Sequence, residues 1–370
     1  MRQRRVERAA GVVLAGVVLA GCATSPATPL VGLPTTTYPA VLRYPIGRVG
    51  PVLEGQVEAI TVSRNVVSAV VRWTNIPQSA SLLRWARGSL TSTRPLVQYV
   101  AAVNVNGHLW WARRQASSLV VSDGTVRRTV ELPAGASPVP QLMVVPSGAG
   151  GAIVLRTPTG EGVQSWGDLG MVWSPLPAGQ PGPVAMGPGR TLWAAVARPD
   201  HLLVRAGARW RQWPLPGPVL TMWPGRRGMW VLINTVSNVQ SGIGTSIMEF
   251  SASGQRLRQI AVPEPSTTGP GSITPWYGGA TNILSSGPRQ AVAVLWDPAS
   301  QQIALEGIDL GTGRGQLWPR AILSANLAPG QRPNFPLRQV DGMTVIGNGN
   351  GLAFYVPSTT VWSRVHNIMN

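Results

Sequence analysis

The sequence predicts an all-β fold, and three observations lead to that class. Short runs of β-branched, aromatic and other apolar residues recur along the chain, as at positions 229–233 and 291–295. Gly, Pro, Asn and Asp separate these runs, and long amphipathic helical patterns are absent from the sequence. A unit of about 40 residues also repeats, which is typical of strands grouped into small, similar sheets.

Three segments carry the repeat most clearly, and they begin at Leu109, Ile153 and Leu192. Ten residues later each has an apolar strand residue, fifteen residues later a turn former, and twenty-four residues later the proline of a Leu-Pro pair. These matching positions are Leu119, Val163 and Leu202; Gly124, Asp168 and Gly207; and Pro133, Pro177 and Pro216. Because unrelated segments would rarely share three offsets, we interpret the pattern as a true repeat. A fourth unit opens at Met229.

A repeat of this length, with apolar strands and tight turns, is typical of propeller blades. Each blade is a small sheet that cannot bury both faces alone, so blades stack on their neighbours around an axis. Residues 40–370 offer room for about seven blades, with six or eight as alternatives. The competing interpretation, a string of β-sandwich domains, does not explain the short shared repeat. The sequence therefore predicts one β-propeller domain over residues 40–370.

Tryptophan is the most conspicuous aromatic residue, with 15 copies. Three of them hold equivalent repeat positions, and we predict that they pack between blades: Trp110, Trp193 and Trp230. Trp210 and Trp213 lie on a later strand beside Arg209 and Arg211. Tryptophan with arginine suits sugar rings or wall polymers through stacking and cation–π contact. These four residues are therefore candidate ligand-binding residues, with packing in the core as the alternative for the tryptophans.

The N-terminus carries the pattern of an export signal. Four arginines within residues 2–8 precede an apolar run over residues 9–20 and the small residues before Cys22. The stretch 19–22 resembles the lipobox of bacterial lipoproteins, and this resemblance implies cleavage before Cys22 and acylation of its thiol. A plain signal peptide with a chance cysteine is the alternative. We expect residues 1–21 to be the signal peptide and residues 22–39, rich in Thr and Pro, to form a disordered tether.

The chain is strongly basic, with a formal net charge of +17. Every basic residue is arginine, and acidic residues number only 14. A positive surface attracts anionic lipid headgroups and wall polymers. Nucleic acid is not an expected partner, because the arginines occur singly or as doublets (113–114, 127–128 and 226–227) and the export signal removes the protein from the cytoplasm. The shortage of carboxylates leads to the hypothesis of an acidic external milieu.

Two segments, 107–133 and 189–216, resemble propeller repeats of the virginiamycin B lyase (streptogramin lyase) family. Both pair a glycine and Leu-Trp with a later apolar strand, a turn glycine and a closing Leu-Pro. This resemblance implies a propeller fold. The lyases of that family use histidine and glutamate with a magnesium ion, including a Glu-x-His pairing. No Glu-x-His occurs in this chain, so no catalytic residue is transferred.

Few residues suit catalysis or metal binding. The three histidines, His108, His201 and His366, are expected to be structural or solvated. No group of His, Cys and carboxylates has zinc spacing. Asp297, Glu306 and Asp309 form a loose acidic group, for which solvated turn acids are the favoured interpretation and calcium binding the alternative. We therefore predict no catalytic residue, no metal and no cofactor.

These features together favour an extracytoplasmic lipoprotein, anchored to the cell membrane through Cys22, whose propeller works as a monomeric binding or scaffolding module. The expected partner is an envelope protein or an anionic cell-wall polymer. The alternative function is an extracytoplasmic metal-dependent lyase or hydrolase of the streptogramin-lyase-like propeller type. The scarcity of histidines and acids favours the non-enzymatic role.

Overall fold

The structure is a computed structural model that describes residues 41–45, 55–63, 66–73, 76–86, 89–207, 209–235, 245–262, 279–287, 289–297, 302–324, 335–340, 343–347 and 351–355. The predicted signal peptide, the tether and Cys22 lie outside the described residues. No helix among the described residues is long and apolar enough to cross a bilayer.

The described strands form seven four-stranded antiparallel sheets, here numbered blades I to VII. The first strand, β1 (Val41–Pro45), belongs to blade VII. Blade I contains β2 (Gly55–Ser63), β3 (Val66–Trp73), β4 (Ser79–Ala86) and β5 (Ser89–Val97). Blade II contains β6 (Tyr99–Val105), β7 (His108–Gln115), β8 (Ser118–Ser122) and β9 (Arg127–Glu131). Blade III contains β10 (Ser137–Val144), β11 (Gly150–Thr157), β12 (Gly160–Gly167) and β13 (Val172–Pro175).

Blade IV contains β14 (Gln180–Met186), a 3₁₀ turn (Pro188–Arg190), β15 (Leu192–Ala197), β16 (His201–Ala206) and β17 (Arg209–Pro214). Blade V contains β18 (Val219–Pro224), β19 (Gly228–Asn234), β20 (Thr245–Ser251) and β21 (Arg256–Ala261). Blade VI contains β22 (Gly279–Gly287), β23 (Gln290–Asp297), β24 (Gln302–Asp309) and β25 (Arg314–Ser324). Blade VII contains β26 (Leu337–Val340), β27 (Met343–Gly347) and β28 (Gly351–Tyr355), and β1 pairs with β28 to complete it.

The blades form a closed ring. The first strand of each blade contacts the first strands of both neighbours, from β2 through β6, β10, β14, β18, β22 and β26 back to β2. These seven inner strands therefore surround a central axis. Because β1 joins the C-terminal strands, one blade is built from both ends of the chain. The arrangement confirms the predicted all-β propeller and its blade count of about seven.

The apolar core lies between neighbouring blades. Trp110, Trp193 and Trp230 are each on the second strand of a blade, buried, and packed into the interface with the following blade. In blades IV and V the indole lies against a glycine of its own first turn, since a Cβ at Gly187 or Gly225 would come within 2.4 or 2.6 Å of the ring. The equivalence of the three tryptophans is thus confirmed.

The Leu-Pro pair of the repeat closes each outer strand. The backbone N–H groups of Leu132, Leu176 and Leu215 donate to carbonyls at the start of the third strand of the same blade or just before it, at 2.8–2.9 Å. The same leucine side chains are partly buried against residues of the following blade. The turn formers Gly124 and Gly207 lie between the third and fourth strands with φ of 98° and 66°, which glycine adopts without strain.

A register shift near the start of the inner strand recurs in blades I to VI. Such β-bulges bend a strand and redirect side chains. In blade I the extra residue is Glu58, between Val57 and Ala59. The face where inner strands begin is called the start face below, and the opposite face, where they turn into the second strands, the turn face.

Candidate functional site

A cleft of about 200 Å³ opens on the start face where blades I, II and III meet. We call it the start-face cleft. Its lining consists of residues at the ends of second strands, in the β3–β4 and β5–β6 connections, and at the starts of inner strands: Arg72, Gln78, Gln98, Tyr99, Val100, Arg114, Ser137, Pro138 and Pro140. Three blades therefore contribute to one concave surface.

Three side chains from two blades form the floor of this cleft. The Nε of Arg72 lies 2.8 Å from Oε1 of Glu58, and the hydroxyl of Tyr99 donates to Oε2 of the same carboxyl. Arg72 also donates from Nη2 to the carbonyl of Val100 at 3.1 Å, and its guanidinium lies 5.5 Å from the centre of the Tyr99 ring. The bulge that re-aims Glu58 thus ties the inner strand of blade I to that of blade II.

Burial is the main influence on the two acidic groups of this cluster. It raises the pKa of Glu58, with the charge of Arg72 and the hydrogen bond from Tyr99 acting in the opposite direction. Burial and the neighbouring Glu58 together raise the pKa of Tyr99 well above its ordinary value. The phenol therefore stays protonated and donates to the carboxyl, which leaves it unsuited to act as a base at neutral pH.

The rim of the cleft is set by two exposed glutamines in left-handed backbone conformation. Gln78 has φ of 54° and Gln98 has φ of 56°. Their carbonyls accept hydrogen bonds at 2.8 Å from the backbone N–H groups of Tyr99 and Arg114, respectively. These bonds hold the loops of blades I and II together. They also place the half-buried Arg114 beside the opening, with its Nε 3.3 Å from the carbonyl of Ala116.

The cleft is electropositive because its charges do not balance. Arg72 and Arg114 line it, whereas no carboxylate does, and Glu58 beneath it is engaged by Arg72 and Tyr99. Among the described residues, Arg114 forms no ion pair. Guanidinium groups bind carboxylate and phosphate oxygens through paired N–H donors. The geometry therefore suits an anionic group on a ligand or partner.

The predicted Trp/Arg group lies elsewhere, on β17 at the outer edge of blade IV. Arg209 and Arg211 are exposed, whereas Trp210 and Trp213 are half-buried. Strand alternation puts Arg209, Arg211 and Trp213 on one face and Trp210 on the other. Trp213 packs against blade V, where a Cβ at Gly254 would lie 2.2 Å from its ring, and Trp210 packs against the cluster between blades III and IV. Part of each indole thus belongs to a blade interface.

The two histidines within the described residues occupy exposed or strand-end positions. His108 is 70% exposed, with Nδ1 3.9 Å from Oδ2 of Asp123. His201 begins β16, with Nδ1 3.3 Å from the carbonyl of Pro199. His366 lies outside the described residues. In the part of the chain that the structure describes, no three His, Cys, Asp or Glu side chains come together to hold a metal ion.

The interpretation of Glu306 as a solvated turn acid was wrong. Glu306 lies in the middle of β24, is only 2% exposed, and its Oε2 has no hydrogen-bond partner among the described residues. Asp309 does cap the turn after β24, accepting from the N–H of Gly311 at 2.6 Å. Asp297 ends β23, so the sheet separates the three acids. Because Glu306 pairs with Ala293 on the face toward blade V, it is buried with the apolar residues of that interface.

Sequence reasoning missed the start-face cleft. Its polar residues are spread over positions 72–137, and no motif links them. The one signal was the arginine doublet at 113–114, whose second member lines the cleft. These residues come together through the β3–β4 and β5–β6 connections. In each connection a glutamine adopts the left-handed backbone conformation, which a sequence indicates when the residue is glycine but not when it is glutamine.

Comparisons with known proteins bear on the fold. No family model and no curated protein matches the chain. Among solved structures, hydrazine synthase from Kuenenia stuttgartiensis is similar with a TM-score of 0.55 and 13% identity, over 84% of this chain and 98% of that chain. YCF48 from Cyanidioschyzon merolae is similar with a TM-score of 0.51 and 12% identity, over 86% and 99%. These structures are β-propellers, and identities this low show the fold alone.

Proposed function

We propose that the protein is a lipid-anchored extracytoplasmic binding module whose propeller holds an anionic envelope polymer in the start-face cleft. The observation that supports binding is the pair of guanidinium groups, Arg72 and Arg114, in a cleft without a lining carboxylate. The lipobox-like stretch ending at Cys22 supports the anchor and the location outside the cytoplasm. Half-buried guanidiniums gain more from an anion than fully exposed ones, because solvent screens them less.

The two arginines have different roles in this proposal. Arg72 is held by Glu58 and Val100, so it supplies a fixed, preorganised part of the cleft. Within the described part of the chain, the side chain of Arg114 donates one hydrogen bond, to Ala116 at 3.3 Å, and its remaining N–H donors serve the ligand. Arg209 and Arg211 on β17 are a second proposed contact for the same polymer, since both are exposed and a long chain can reach more than one blade.

The test of binding removes one charge inside the cleft and one outside it. Soluble protein carrying Cys22→Ser is titrated with poly(glycerol phosphate), with poly-L-glutamate as an acidic polypeptide and dextran as a neutral polymer. We expect Arg114→Gln to weaken poly(glycerol phosphate) binding at least about fivefold, the equivalent of about 1 kcal/mol. The matched control is Arg156→Gln, which removes the same charge from an exposed pair with Glu161 on blade III.

Equal weakening by both variants would show that only net charge matters and would refute the cleft. Preference for poly-L-glutamate would replace the polymer by an acidic protein as the partner. A rise in thermal stability with magnesium, together with turnover of a bound substrate, would instead support the lyase or hydrolase alternative.

The anchor is tested in the full chain, where Cys22→Ala should move the protein from the membrane fraction to the soluble fraction. Unchanged fractionation would contradict the anchor.

A further inference from the structure

The inner strands that surround the axis are almost free of charge. Over their seven ranges they contain one acidic residue, Glu58, and one basic residue, Arg338. Glu58 is engaged at the start face by Arg72 and Tyr99. Arg338, the second residue of the short strand β26, is therefore the other formal charge on the inner strands.

Arg338 reaches from blade VII to blade II, past blade I. A Cβ on Gly107, in the turn between β6 and β7, would lie 3.6 Å from Nη2 of Arg338. The inner strand of blade I lies between these two blades in the ring. The guanidinium thus lies beside the inner strand of blade I, next to the turn-face end of the central channel.

The backbone around Gly107 is already hydrogen bonded within its own neighbourhood. The N–H of Gly107 donates to Oδ1 of Asn104 at 3.2 Å, and its carbonyl accepts from the hydroxyl of Thr61. The side-chain amide of Asn104 donates in turn to the carbonyl of Ile60 at 2.5 Å. These bonds join blades I and II into a fixed wall beside the guanidinium.

The charge of Arg338 is not compensated by this wall. The Nε of Arg338 is buried and has no hydrogen-bond partner among the described residues. No ion pair in the described part of the chain involves Arg338. Burial lowers the pKa of Arg338, with no opposing contribution from a nearby carboxylate. A partly buried guanidinium with an orphaned donor is unfavourable unless an acceptor fills the space beside it.

We propose that the turn-face mouth of the channel is a second site, which binds a small molecule carrying a phosphate or carboxylate group through Arg338. The planar guanidinium matches the oxygen pair of either group. The free donor of Arg338 lies among the inner strands and is buried, so the site fits a small molecule and not a folded domain. This site lies on the opposite face from the start-face cleft and does not depend on the function proposed for it.

The test uses inorganic phosphate and acetate as ligands, with chloride at equal ionic strength as the control for screening. Binding is followed by the NMR signals of the arginine Nε–H groups in the Cys22→Ser protein, with Kd expected at about 1 mM for so small an ion. We expect the Arg338 signal to shift with phosphate or acetate but not with chloride. Arg338→Gln lacks this signal, so its binding is followed through the backbone amide of Gly107, and we expect it to be at least about tenfold weaker. Arg156→Gln, from the exposed pair on blade III, should leave binding unchanged.

If Arg338→Gln does not fold, Arg338→Lys keeps the charge but loses the planar fork, and the site then predicts several-fold weaker binding. The proposal would be overturned if the Arg338 signal did not shift in the protein that retains Arg338. It would also be overturned if the Arg338 variants bound phosphate as tightly as that protein does. The relative response to phosphate and acetate distinguishes the two classes of ligand. Loss of polymer binding in Arg114→Gln with retained phosphate binding at Arg338 would separate the two sites.

Discussion

The interface between blades IV and V and the one between blades V and VI share a backbone plan, but at one matching buried position their side chains differ in kind. In blade V, Met248 pairs with Val231 and faces blade IV. At the corresponding pair in blade VI, Glu306 lies opposite Ala293 and faces blade V. Both side chains are buried, at 1% and 2% exposed. A methionine in one interface is therefore replaced by a carboxyl in the next.

This difference shows that the repeat determines position and burial but not chemistry. Burial raises the pKa of Glu306 from 4.5 to about 8, so the group is protonated at neutral pH in the folded protein. The apolar interface tolerates the carboxyl by keeping it neutral. The interface between blades V and VI is thus sensitive to pH, whereas the one between blades IV and V has no such group at this position.

The largest expected effect comes from making the two interfaces alike with Glu306→Met. The raised pKa means that the stabilisation by the protonated carboxyl is fully present below pH 4.5 and is lost as pH rises through 8. At pH 5 we expect the variant to gain about 1 kcal/mol from removing an unpartnered polar group. At pH 8 the gain should be about 4 kcal/mol larger, at about 1.4 kcal/mol per pH unit. Denaturant unfolding at both pH values measures this gain in the free energy of unfolding.

The matched control is Glu131→Met, which removes an exposed carboxylate from β9. Its effect on the free energy of unfolding should stay small at both pH values. A gain for Glu306→Met that is the same at pH 5 and pH 8 would contradict the buried, protonated state. Greater stability of the natural protein at low pH would agree with the acidic milieu hypothesised from the sequence, which remains a prediction.

The second effect tests the apolar interface through Trp193→Ala. The side chain of Trp193 is fully buried between blades IV and V, so its loss should lower the free energy of unfolding by about 3–5 kcal/mol. Trp193→Phe should cost clearly less, because it retains an aromatic ring and removes an indole N–H that finds no partner in the residues that the structure describes. Thermal unfolding of both variants provides the measurement. Equal losses of stability in Trp193→Ala and Trp193→Phe would show that filling the interface with an aromatic ring is not the dominant contribution to stability at this position.

The smallest effect concerns the edge of the same interface and uses Trp213→Ala. Trp213 is half-buried on the turn at Gly254, so we expect a loss of about 1–2 kcal/mol in stability. The paired change Arg209→Gln with Arg211→Gln should alter stability by less than about 0.5 kcal/mol, because both side chains are exposed. Titration of both variants with poly(glycerol phosphate) then shows which residues contact the polymer. If the arginine variant binds the polymer more weakly and Trp213→Ala does not, Trp213 belongs to the core and not to the binding surface.

Much of the fold was predictable because the repeat is periodic in the sequence. The offsets from Leu109, Ile153 and Leu192 marked second strands, third strands and closing Leu-Pro pairs, as observed. The buried roles of Trp110, Trp193 and Trp230 followed from the same alignment. The first strand of each blade was harder to place, since its register shifts near the axis and the repeat is weak there.

The sequence by itself determined the strand content, the period and the positions that face a neighbouring blade, because alternation and spacing are local properties of the chain. Only the tertiary structure decided which polar residues meet. Closing the ring brings Arg72 of blade I beside Arg114 of blade II, sets Arg338 of blade VII against Gly107, and buries Glu306. These contacts join residues that are far apart in the chain. They arise from the rotation of each blade relative to the next, which no local sequence pattern records.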